Sequence, residues 1–219
     1  MKIEEYLSTL PSNILSGEEI QIPPDSIREI FRFAELGESD VFYHLGCGEG
    51  ASLSIARQEF NVKSAIGIDN SKKMIDNAKK SIEDNNISDI KLIEQDILEA
   101  DFSDASVILC WFMDPDIMES LMEKFEKLGD DVKIITIWAP LPGCLPQKVD
   151  FPYIMNKTPF VETDDLKKQL LAVFETECIG FVTAWEFAER YTKSIGRDNP
   201  ENDRFLVIIQ ALTIWINAK

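Results

Sequence analysis

Val41-Phe-Tyr-His-Leu-Gly-Cys-Gly-Glu-Gly-Ala51 is the stretch from which the fold is read. The apolar run Val41 to Leu45 has the length and content of a buried strand. It breaks into Gly46-x-Gly48-x-Gly50, and Ser52-Leu-Ser-Ile-Ala-Arg57 then continues as a helix. A strand, a glycine turn and a helix in that order bring backbone N–H groups close to an adenosine-type cofactor. The glycines permit the turn and the close approach, and the helix N-terminus adds the positive end of its dipole. Gly46-x-Gly48-x-x-Ala51 also satisfies the dinucleotide pattern, so two cofactor classes fit this stretch alone.

The 219 residues suit one large domain, or a domain of about 150 residues with an appendage. Hydrophobic content of 45% and charged content of 28% are those of a globular protein. The net charge of −17 argues against binding a phosphate backbone, which needs clustered Lys and Arg. It either keeps the surface solvated or steers a basic partner such as a lysine-rich protein. Cys47, Cys110, Cys144 and Cys178 lie far apart without a C-x-x-C pair, and His44 is the one histidine. Neither a zinc site nor a disulfide framework is expected. The N-terminus lacks a signal-peptide core and no apolar run is long enough to span a bilayer, so the expected location is the cytoplasm, without membrane association.

Ile22-Pro-Pro-Asp25 predicts an extended lead into a helix with Asp25 as N-cap, apolar Ile27, Ile30, Phe31 and Ala34, and Gly37 at the stop. Ser64–Asp69, Ile90–Ile93, Ala105–Cys110 and Val132–Trp138 read as four further strands. Between them lie a helix capped by Asn70 or Ser71 and another carrying Ile117, Leu121, Met122, Phe125 and Leu128. Alternation of this kind predicts an α/β fold, a parallel Rossmann-like sheet with helices on both faces. Prolines between Pro140 and Pro152 turn Gln147–Val161 into extended chain, read as a hairpin at the sheet edge. Beyond Asp165 the pattern is helical again: Leu166–Phe174, Val182–Tyr191, and a last segment with Asn199 as N-cap and Pro200 at its first position. β-Branched density leaves a strand pair as the alternative for that last segment. Residues 1–162 are therefore expected to form the cofactor-binding domain, and residues 163–219 a mainly helical C-terminal extension.

Position separates the two cofactor readings. Asp69, closing the second strand, suits a ribose diol in either. Asp96 follows the third strand, where S-adenosylmethionine enzymes set a carboxylate against the adenine amino group and nicotinamide enzymes have no such need. Together with Ile22-Pro-Pro-Asp25, Asp40 to Gly50, Ala65 to Asp69, Glu94-Gln-Asp96, Leu109-Cys-Trp-Phe-Met113 and the proline-rich turn after Trp138, this set resembles the class I S-adenosylmethionine-dependent methyltransferases. Within them it resembles the archaeal protein-lysine methyltransferases and their mitochondrial relatives, over roughly residues 20 to 160.

The resemblance implies S-adenosyl-L-methionine as cofactor. Leu45, Gly46, Cys47, Gly48 and Gly50 would line its methionine and ribose side, with Cys110 nearby. Asp69 and Asn70 would hold the ribose, and Asp96 and Ile97 would read adenine. His44 occupies the position where this family carries an acid for the cofactor's amino group; a neutral imidazole accepts one hydrogen bond without charge assistance. Methyl transfer from a sulfonium is an in-line displacement that needs alignment, desolvation and a free lone pair rather than a general base. Trp111, Phe112, Met113 and Trp138 are the expected acceptor channel, whose aromatic faces favour a cation and whose apolar walls lower the pKa of a lysine. The expected acceptor is a protein lysine or a small molecule, with no metal and no nucleic acid. The C-terminal helices, bearing Trp185, Phe187, Tyr191 and Trp215, would serve as a substrate lid or a homodimer contact. Two other classes stay open on sequence: a non-catalytic interaction protein of the same fold, and a nicotinamide oxidoreductase. Tyr153-x-x-x-Lys157 matches a dehydrogenase pair, although that pair must share a helix face and prolines flank it here.

Overall fold

The computed structural model describes residues 21–111, 115–137, 140–150 and 152–174. The Val182–Tyr191 helix, the last segment and most of the C-terminal extension lie outside these residues. Helix α1 (Pro24–Ala34) precedes β1 (Val41–Leu45), α2 (Ala51–Glu59), β2 (Ser64–Asp69), α3 (Lys72–Asp84), β3 (Ile90–Glu94) and β4 (Val107–Cys110). Then come α4 (Pro115–Phe125), β5 (Lys133–Ile137), β6 (Cys144–Leu145), β7 (Lys148–Asp150), β8 (Tyr153–Lys157), β9 (Val161–Glu162) and α5 (Leu166–Phe174). Seven strands pair in the order β3-β2-β1-β4-β5-β8-β7, and β6 pairs with β9 separately. β1 to β5 run parallel, whereas β8 is antiparallel to both β5 and β7. The proline-rich stretch thus closes the sheet as the edge hairpin expected of it.

Alternation along β1 divides the core. Phe42 belongs to the layer under α1, α2 and α3, with Ile30, Phe31, Leu53 and Ile75. Tyr43 and Leu45 belong to the opposite layer, with Phe102, Leu121 and Phe125. Strands buried on both faces need apolar residues at nearly every position, which is why β1, β2 and β4 read as continuous apolar runs. Phe31 sits edge-on to Phe42 and Phe60, with ring centroids at 5.0 and 5.2 Å.

Both ends of α1 differ from expectation. Pro23 is the N-cap residue and Pro24 opens the helix, so Asp25 falls in the first turn rather than at the cap. At the other end Glu35, in left-handed conformation, closes the helix, and Gly37 lies beyond the stop. Glu35 is tolerated there because its own N–H and that of Leu36 return to the carbonyls of Arg32 and Phe31. Lys133 Nζ and Lys148 Nζ add hydrogen bonds of 2.7 Å to the carbonyls of Ala34 and Phe33. These lysines place positive charge at the negative end of α1 and tie it to β5 and β7. At α3, Ser71 is the cap, accepting the Met74 N–H.

The strand order reverses beside β1, because β1 connects through α2 to β2 on one side and lies against β4 on the other. A doubly wound sheet opens a crevice at such a switch point, at the carboxyl ends of its strands. Gly67, in mid-β2, lets α2 approach this point: a Cβ there would lie 2.5 Å from Leu53 Cδ1 and 2.7 Å from Cys47 Sγ. Leu53 is fully buried and cannot swing aside. Gly67→Ala is therefore expected to cost about 1–3 kcal/mol of stability by overpacking, read as a lower urea midpoint at unchanged slope.

Candidate functional site

The turn after β1 is built on three left-handed glycines, Gly46, Gly48 and Gly50, with φ of 77°, 53° and 76°. Two successive N–H groups, of Gly46 and Cys47, donate to the Ile68 carbonyl at 2.8 and 3.0 Å. The Gly48 N–H donates to Asp69 Oδ2 at 2.8 Å, and the Ser71 N–H donates to Asp69 Oδ1 at 2.9 Å. Each carboxylate oxygen of Asp69 thus has one backbone donor and keeps further acceptor capacity. Gln21, which no sequence signal singled out, lies over the turn: a Cβ on Gly48 would be 2.4 Å from its Nε2.

One strand further out, the Gln95 N–H donates to the Asp69 carbonyl at 3.0 Å, which sets the chain after β3 beside the end of β2. Asp96 is exposed and its Oδ1 accepts the Leu98 N–H at 2.9 Å, an Asx-turn that holds the carboxylate in place. A cleft of about 280 Å³ opens between these groups. Gly46, Asp69, Asn70 and Asp96 supply its polar lining, and Ile97, Leu98 and Ile117 its apolar lining. Five of these residues were expected from the sequence. Leu98 and Ile117 were not, because the first reads as loop and the second as part of the apolar face of α4.

His44 points to the α2 side of the sheet, where Phe42 also packs, and its Nδ1 is 2.6 Å from Ser52 Oγ. It is 7% exposed, and burial pushes its pKa down from 6.5 to about 4. The imidazole is therefore neutral at neutral pH and braces the first turn of α2. Cys110 is fully buried with Sγ directed at the Ile135 carbonyl, and burial pushes its thiol up to about 12. Leu45 and Cys47 are buried too, so the part of the turn that faces the cleft is Gly46. Trp111 is half-buried at the end of β4 and packs on the layer beneath α1 and α2. Phe112, Met113 and Trp138 lie outside the described residues. Tyr153 and Lys157 are at the two ends of strand β8, where Tyr153 donates to Glu29 and Lys157 pairs with Asp131. They share no helix face, so the dehydrogenase arrangement is absent.

Residues 44–148 match the family profile of the ANTKMT methyltransferase domain. The chain is an S-adenosylmethionine-dependent methyltransferase. The methyltransferase is 28% identical over 132 residues to a protein-lysine N-methyltransferase of Saccharolobus islandicus, covering 59% of this chain and 81% of that one. It is 35% identical over 103 residues to a carboxy-S-adenosyl-L-methionine synthase of Sulfurimonas denitrificans, covering 45% of this chain and 43% of that one. Its fold matches an RNA methyltransferase of Salinibacter ruber, solved with S-adenosyl-L-homocysteine, at a TM-score of 0.61 and 22% identity over 67% of this chain and 99% of that one. Among the described residues of the methyltransferase, no group of three or more His, Cys, Asp or Glu side chains is placed to hold a metal, and no helix is long and apolar enough to cross a membrane.

The buried imidazole makes the methyltransferase sensitive to acid. Protonating His44 is unfavourable in the native state and free in the unfolded chain, so the native state loses stability as pH falls from 6.5 toward about 4. The full loss is about 3 kcal/mol. His44→Asn is expected to remove that share of the acid dependence in urea titrations at a series of pH values.

Proposed function

We propose that this methyltransferase transfers methyl groups to lysine amines of proteins. The observation that carries the reading is the likeness to the Saccharolobus islandicus protein-lysine N-methyltransferase, which spans 81% of that protein. The cleft fits the cofactor in chemistry. Asp69 retains free lone pairs toward it for a ribose diol, Asp96 is fixed by its Asx-turn for an amino group, and Ile97, Leu98 and Ile117 give an apolar lining for a purine. Gly46, the exposed glycine of the turn, offers a side-chain-free surface toward the cleft for the amino-acid portion. Bound there, S-adenosylmethionine supplies an electrophilic methyl on a cationic sulfur.

The chain's own part is alignment and desolvation. An amine attacks only after losing its proton, and an apolar surround disfavours the ammonium form. Trp111, leaving β4 beside the switch point, is the described residue suited to wall the acceptor's path, and its face also favours a cation. No base is needed in the step itself: the lysine proton leaves to solvent before attack, and the nitrogen lone pair takes the methyl as the carbon–sulfur bond breaks.

Two measurements test this reading. Incubation with methyl-labelled S-adenosylmethionine and a protein extract is expected to place label in protein bands, recovered as methyl-lysine after hydrolysis. Label confined to small molecules would sink the lysine assignment. Asp96→Ala is expected to weaken S-adenosylhomocysteine about tenfold in calorimetry, the scale of one hydrogen bond to a charged group. Unchanged affinity removes Asp96 from the site.

A further inference from the structure

A second cleft, of about 530 Å³, opens on the α4 side of the sheet. Its floor is apolar, with Met122 of α4, Pro142 of the loop after β5 and Phe160 before β9. Its rim carries three carboxylates, Glu126, Glu162 and Asp164, and no lysine or arginine is among its described lining residues. None of the three acids has an ion-pair partner among the described residues. Two of them act on the same buried group: after burial itself, Glu162 and Glu126 push the Cys144 thiol up to about 11. Next to Phe160 and Glu162, Val161 is 51% exposed, and it is the one large hydrophobic residue so exposed among the described residues.

The groove is preformed. The Thr163 N–H donates to the Gly143 carbonyl at 2.8 Å, β6 pairs with β9, and Gln169 Nε2 donates to the carbonyls of Cys144 and Leu141. These bonds fix both walls independently of any occupant. A rigid apolar floor under unpaired negative charge complements a side chain with an aliphatic stem and a cationic head.

Helix α4 joins this groove to the cofactor cleft, since Ile117 lines one and Met122 the other. At helical rise, five residues span roughly 8 Å, and the nine to Glu126 span roughly 13 Å. We propose that this groove docks a basic segment of the acceptor protein. The proposal rests on the protein-lysine reading and adds where and how that acceptor is recognised. The acidity of the whole chain, −17, favours the same class of partner at longer range.

The test uses the full chain and the variant E126Q/E162Q/D164N, whose positions lie outside the cofactor cleft. S-adenosylhomocysteine affinity reports that the variant is folded. A fluorescent arginine-rich peptide without lysine is expected to bind the native protein about tenfold more tightly than the variant at low salt, with the difference shrinking as salt rises. With peptides carrying one lysine and flanking arginines, the variant is expected to raise KM about tenfold at unchanged kcat. Replacing those arginines by serine is expected to abolish the difference between the two proteins. Equal binding of the arginine peptide to both proteins overturns the proposal. If the arginine peptide discriminates between them but neither lysine peptide is methylated, the groove stands as a basic-segment site and the lysine reading falls instead.

Discussion

The close approach of α2 to β2 at Gly67 is the contact on which the cofactor cleft depends. Leu53 and Cys47 occupy the space that any side chain at Gly67 would need, so the turn between β1 and α2 sits directly on the neighbouring strand. That proximity lets the Ile68 carbonyl accept two successive N–H groups of the turn, and it brings the Gly48 N–H within reach of Asp69. The Asp69 carboxylate in this way both lines the cleft and holds the turn. Its carbonyl, in turn, positions the chain leading to Asp96. Remove the approach and the glycines, the two acids and the start of α2 lose their common reference.

Charge is distributed to match. The groups at the strand ends are acidic and accept hydrogen bonds from backbone donors, with no lysine or arginine among the described residues lining the cleft. At the end of β1 the chain has a buried neutral imidazole, His44, whose contact with Ser52 stiffens the first turn of α2. On the far side of α4 three further carboxylates have no ion-pair partner among the described residues, around an apolar floor.

Much of the architecture was legible because buried parallel strands and amphipathic helices impose different periods on the sequence. Val41–Leu45 and Ser64–Asp69 match their expected spans, and β3, β4 and β5 differ from theirs by no more than two residues at an end. The helix termini were harder to read. Asp25 looks like a cap, but consecutive prolines already satisfy the start of α1; Gly37 looks like a stop, but local hydrogen bonding makes Glu35 the left-handed residue. Termini are decided by which carbonyls and N–H groups find partners, and several of those partners are distant in the chain, as with Lys133 and Lys148.

The sequence by itself determined the sheet, the glycine turn and the placing of Asp69 and Asp96 at strand ends, since each depends on local pattern. Tertiary structure alone decided which side chains of that neighbourhood face the cleft. Leu45, Cys47 and Cys110 turn into the core, whereas Leu98 and Ile117 arrive from a loop and a helix whose patterns signal only packing. It also decided that His44 faces Ser52 and that the Tyr153–Lys157 pair is split along a strand. The physical reason is common to these cases. Facing is set by the pleat of a strand and by the element packed against it, and neither is written at the residue concerned.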